Sequence, residues 1–239
     1  MQTKICLLGD SHAAALRQGW FRIHRNFPQF EICFFAGLSE HWPSVTARDG
    51  ALVAGSETLQ EQFARSSRGI RVIAADYDAY VVSSLRLAIS FPLRLWTRQG
   101  ITEWGAYREA VTKSVHETAC ADVLSKLRQI TAAPIFVLAA PHQPAGYCKS
   151  SPLLDLETAH RVGANFTAAC EELAAKHAAV FIPQPLGTLA PNRVTTRMEF
   201  ANPPSSSERD DSRHCNAEYG ALALTEVLQT ILKTTVISN

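Results

Sequence analysis

Five short apolar runs, at 3–8, 31–37, 79–85, 133–141 and 178–183, alternate along the chain with segments of helical spacing. This alternation constrains the fold more than any other feature. Strands that are apolar on both faces suit a parallel sheet covered by helices on its two sides, and each crossover between parallel neighbours needs a connection long enough to hold a helix. The helical segments are HAAALRQGWFRI after the first run, 101–130, 155–177 and 217–233. In the first, Ala14, Leu16, Trp20 and Ile23 are available for one face; in the last, Leu222, Leu224, Val227, Leu228, Ile231 and Leu232 form the apolar side. Two interruptions stand out. Asp49-Gly50, between β-compatible flanks, signals a hairpin inserted at 44–54. The segment 184–213, with NPPSSSERDD near its end, lacks periodicity and reads as a long active-site loop.

With 239 residues the expectation is one α/β domain spanning 1–239. Lys and Arg number 23 against 22 Asp and Glu, a net charge of +1, so no global field points to nucleic acid or an anionic membrane. The apolar run before Gly9 is only four residues long, too short for a signal-peptide core, and no run of eighteen apolar residues occurs, which leads us to expect a cytoplasmic protein. The six cysteines are scattered without metal-like spacing and read as reduced thiols, with no metal or cofactor expected. Phosphate-loop and dinucleotide-binding glycine motifs are absent.

Two short motifs carry chemistry. Gly9-Asp10-Ser11-His12 lies where the first strand meets its helix, which puts the Ser11 hydroxyl at a helix N-terminus on the carboxyl edge of the sheet, where open α/β folds hold their ligands. Asp211-x-x-His214 stands just before the last helix, and the carboxylate at that spacing can reach the imidazole. Taken alone, the second motif reads as a helix N-terminal carboxylate and a polar cap. Together the two resemble the first and last blocks of the SGNH, or GDSL-type, hydrolases.

That resemblance implies a three-layer α/β/α flavodoxin-like fold with a mainly parallel five-stranded sheet. It implies Ser11 as nucleophile, His214 as the general base and Asp211 as the residue that orients His214. The oxyanion donors it implies are the backbone N–H groups of Ser11 and Gly37. At the third block, where the family has Gly-x-Asn, this chain reads VVSSLRLAIS and has no asparagine. Ser83, Ser84 or Arg86 is then a substitute donor, or His142 or Gln143 from the next strand end; we take Ser84 as the donor.

Asp10 is expected to accept backbone N–H groups around the turn, and with His12, Trp42, Arg86 and His142 it is assigned to the substrate side. Trp42 follows directly after the Gly37 edge, Arg86 offers a cation for a carboxylate or phosphate, and His142 lies between prolines at a strand end. The bland readings are a solvated His12, a solvated helix arginine and a loop histidine bound to backbone. The expected activity is a serine esterase acting through an acyl-enzyme on a small-molecule or carbohydrate O-acyl ester, with acetyl esters suggested by the resemblance. An O-acyltransferase with the same triad and a non-catalytic ligand-binding member of the fold are the alternatives, the missing asparagine favouring the latter.

Overall fold

A computed structural model describes residues 2–148, 154–202 and 214–237. Its main sheet holds β1 (Thr3–Gly9), β2 (Phe30–Ala36), β6 (Ala79–Ser83), β7 (Ile135–Leu138) and β8 (Val180–Ile182), in the spatial order β2-β1-β6-β7-β8. All four pairings are parallel. The sheet is flanked by helices on both faces, the three-layer arrangement the apolar runs imply. Chain order reverses at β1, which has β2 on one side and β6 on the other. The carboxyl ends of β1 and β6 therefore flank a switch point, with Gly9 paired to both Ala36 and Ser83.

Alternation along the strands builds two cores. Cys6, Leu8, Phe35, Tyr80, Val82 and Val137 face one side, under α2 (Glu57–Ser67), α3 (Ser90–Thr97), α4 (Trp104–His116), α5 (Ala119–Ile130) and α6 (Leu156–Lys176). Ile5, Leu7, Phe34, Val81 and Phe136 face the other, under α1 (Ala13–Ile23) and α7 (Ala217–Ile237).

The segment 101–130 is two helices rather than one. Glu103 accepts from Gly105 N–H and Ala106 N–H to start α4, and Thr118 accepts from Ala121 N–H to start α5. Asp49 and Gly50, both with positive φ, form the two-residue turn between β3 (Thr46–Arg48) and β4 (Ala51–Val53). A third strand, β5 (Val72–Ala74), completes a separate antiparallel sheet.

On α1 the apolar face differs from the expected one. Ala13, Ala15, Leu16 and Gly19 are buried while Ala14 is exposed, because the helix meets α7 as well as the sheet. On α7, Leu222 and Leu232 are exposed, whereas Leu224, Val227, Leu228 and Ile231 are buried on the sheet side.

Candidate active site

The turn after β1 is built on two small demands. A Cβ on Gly9 would press on Ala13 Cβ at 3.0 Å and the Ser83 carbonyl at 3.2 Å, so glycine lets β1 run beside β6 into α1 without pushing either neighbour aside. Asp10, buried at 5 % exposure, then binds three segments together. Its Oδ1 accepts from His12 N–H (3.1 Å), and its Oδ2 accepts from Ser39 Oγ–H (2.8 Å) and Leu85 N–H (3.1 Å). Both carboxylate oxygens are taken up by protein donors, so Asp10 holds the loops after β1, β2 and β6 in place. Asp10 also lines the cleft beside Ser11, so it is both the acceptor expected for the turn and part of the wall on that side.

Ser11, exposed at the start of α1, has its Oγ 3.0 Å from His214 Nε2. The imidazole comes from 203 residues away and is placed by local pairing. Ala201 and Cys215 form an antiparallel bridge, Asn202 N–H donates to the His214 carbonyl (2.9 Å), and Asn216 N–H donates to the Phe200 carbonyl (2.8 Å). The Asn216 side chain also accepts from Glu218 N–H and Tyr219 N–H, which caps α7. His214 is thus fixed between a strand bridge and a helix cap. Asp211 lies outside the described residues, as does the 203–213 part of the long loop.

The two helices that carry this pair touch backbone to backbone. A Cβ on Gly19 would run into Gly220 and Ala221, and one on Gly220 into the Ala15 carbonyl. Ser11 at the start of α1 and His214 just before α7 are therefore held by one rigid helix pair. The spacing Ala15-x-x-x-Gly19 is the only trace of this contact in α1.

No family model and no curated protein matches the sequence. Solved structures do match. An extracellular lipase from Streptomyces rimosus superposes with a TM-score of 0.52 at 11 % identity, over 95 % of this chain and 99 % of that one. Phospholipase A1 from Streptomyces albidoflavus gives 0.47 at 13 %, over 96 % and 99 %. The periplasmic domain of a lipopolysaccharide acetyltransferase from Salmonella Paratyphi A gives 0.47 at 12 %, over 97 % and 84 %. The chain has the fold of the SGNH hydrolases.

Against the SGNH pattern, the expected oxyanion donors do not assemble. Gly37 N–H donates to the Gly9 carbonyl at 3.0 Å, which extends the β1–β2 ladder by one rung. A Cβ at 37 would meet the Leu59 side chain on α2, which would have to shift. Ser84 N–H donates to the Leu138 carbonyl at 2.9 Å, and its side chain is fully buried with no hydrogen-bond partner for Oγ among the described residues. Both assignments are thereby corrected. Ser11 N–H is the one expected donor for which no partner is present among the described residues. After β6, where the resemblance placed the third block, the chain makes an unusual turn: Ser84, Leu85 and Arg86 have φ of 67°, 49° and 67° in succession. Three non-glycine residues in the left-handed region cost about 1–2 kcal/mol each, and the Asp10 bond to Leu85 N–H helps hold them.

Of the remaining expected contacts, Trp42 is fully buried, packed at a tilt against Phe63 with its Nε1–H donating to the Gly37 carbonyl (3.3 Å), so it supports the β2 end from within the core. Its place on the substrate side is corrected. The His12 ring packs on His214, with centroids 4.8 Å apart, and so backs the imidazole. Arg86 is exposed and shares a cavity with Arg94 and Phe166.

His142 is buried beside Phe166. Its N–H donates to Gln184 Oε1 and its carbonyl accepts from Thr196 Oγ1, which ties the end of β7 to the segment after β8. Gln184, which also donates to Thr188 and Thr196, is the centre of that network and carried no signal in the sequence. His142 is accordingly a structural residue. Burial pushes its imidazole down to about 4 from 6.5. Because the unfolded chain binds that proton more readily, stability should fall as pH drops from about 6.5 towards 4, by about 3 kcal/mol in all. Urea unfolding at pH 7, 5.5 and 4.5 checks this: His142→Gln should flatten the dependence, and an unchanged slope would contradict it.

Among the described residues no group of three or more His, Cys, Asp or Glu side chains could hold a metal ion, and no helix is long and apolar enough to cross a membrane.

Proposed function

We propose that the protein is a serine esterase acting on small-molecule or carbohydrate O-acyl esters. Ser11 Oγ attacks the acyl carbon as His214 Nε2 takes its proton. The imidazolium returns that proton to the departing alcohol oxygen, which leaves the acyl group on Ser11. Water, deprotonated by His214, then releases the acid and restores the hydroxyl. Asp211 orients the imidazole in this scheme, and the Ser11 N–H at the α1 N-terminus faces the developing oxyanion, where the helix end supplies partial positive charge.

The observation that carries the reading is the 3.0 Å contact of Ser11 Oγ with His214 Nε2 at a topological switch point. Hydrolysis of p-nitrophenyl acetate, butyrate and octanoate by wild type and Ser11→Ala tests it. The variant should lose activity by about 10⁴-fold or more while its circular dichroism stays the same. Equal rates in both proteins would refute the assignment.

A second reading is favoured by one observation: the N–H groups of Gly37 and Ser84 are both engaged within the protein. A site short of oxyanion donors loses about 10²–10³ in rate per donor, which suits a ligand-binding member of the fold. Wild type without activity above background would select that reading.

A further inference from the structure

Ser11 opens into a cleft of about 360 Å³ between α1 and the edge strand β2, walled by Ala13, Ala14, Phe21, Phe34 and Ala36. Arg17, Phe21, Phe34 and Ser66 line this cleft and also a second cavity of about 770 Å³ that continues along β2. The two form one groove that starts at the nucleophile.

The helix geometry explains why the cleft exists. Ala14, Gln18 and Phe21 are spaced i, i+4 and i+7, so they share the stripe of α1 that faces the cleft, while Ala15 and Gly19 share the stripe pressed against α7. Alanines at 13 and 14 leave the space next to Ser11 unfilled, and Phe21 keeps 55 % of its surface exposed at the cleft wall. An aromatic ring left this exposed beside a mostly apolar cavity marks a place for an apolar ligand.

We propose that this cleft takes the acyl group of the substrate, and that the group is a medium-length chain rather than acetyl. The proposal rests on Ser11 being the nucleophile. Direction follows from the proton transfer: the imidazolium must reach the leaving oxygen, so the alcohol sits on the His214 side of Ser11. The acyl substituent then points away from His214. Among the described residues the cleft is lined by Asp10 and Ser11 of the turn after β1, by α1, by β2 and by Ser66, with none from α7 or the segment bearing His214, so it lies where that substituent must go. An acetyl group would leave most of the cleft to water, whereas each added methylene that leaves water there should raise kcat/KM about fourfold until the cleft is filled.

Two measurements test this. In kcat/KM, wild type should prefer p-nitrophenyl octanoate to the acetate by at least tenfold, and Ala14→Trp, which fills the cleft from an exposed helix position, should bring the octanoate-to-acetate ratio to about 1. Calorimetric titration of sodium octanoate into folded Ser11→Ala should show saturable binding that is lost in Ser11→Ala/Ala14→Trp. Ser11-dependent turnover that favours acetate, or no saturable octanoate binding, overturns the proposal. Octanoate binding without any Ser11-dependent turnover would support the cleft as an acyl-chain site and would count against the esterase reading instead.

Discussion

Replacing His214 by alanine should lower kcat/KM for a p-nitrophenyl ester by about 10⁴-fold or more and leave the fold intact. A serine hydroxyl is a weak nucleophile at neutral pH, and among the described residues His214 Nε2 is the only nitrogen within hydrogen-bond reach of Ser11 Oγ. Residue 214 is held through its carbonyl, which accepts from Asn202 N–H, and α7 is capped by Asn216, so alanine keeps every backbone contact that positions the segment. The expected result is therefore a folded, inactive protein with an unfolding midpoint near that of wild type. A loss of less than tenfold would mean that another group removes the Ser11 proton.

Gly220→Val should have the largest effect on stability, a loss of about 3 kcal/mol or more, with a fall in activity alongside it. Gly220 lies against the Ala15 carbonyl and Gly19 against the α7 backbone, so neither partner is a side chain that could swing away. The added methyls can be accommodated only by moving α1 and α7 apart. That motion also separates Ser11 from His214, since each stands at the N-terminal end of one of these helices. Urea denaturation gives the stability, and kcat measured well below the transition gives the second readout. Gly220→Val with wild-type stability and wild-type kcat would show that the helix contact does not brace the site.

The sheet strands are legible in the sequence because each carries a short apolar run: β6 and β7 are buried along their whole length and β1 from Ile5 on, while the edge strands β2 and β8 keep the run although Glu31 and Val180 are exposed. α2 is not. Its sequence ETLQEQFARSS buries only Leu59 and Phe63 among its large apolar residues, and its Ser56 cap carries no weight without a periodic stripe behind it. β5 is three residues long and half exposed, below the length at which alternation can be seen.

At the site, the Ser11–His214 pair was legible because both partners sit at element boundaries, where position follows from the order of strands and helices. The oxyanion donors were not. Whether Gly37 N–H is open to a substrate depends on whether the β1–β2 ladder runs one residue further, and it does, to the Gly9 carbonyl. Trp42 shows the same limit, since proximity to a strand end in sequence does not say whether an indole turns outward or, as here, into the core against Phe63. Asp10 was read correctly as an acceptor for the turn, yet its reach to Ser39 and Leu85 required the neighbouring loops to be in place.

The most direct test of the central claim is covalent labelling with a fluorophosphonate, followed by peptide mapping, in wild type and in His214→Ala. A serine activated by His214 should be modified at Ser11 alone and stoichiometrically in wild type, and label at least a hundredfold more slowly in the variant. No modification at Ser11 of the folded wild-type protein, or equal labelling of the two proteins, would contradict the account.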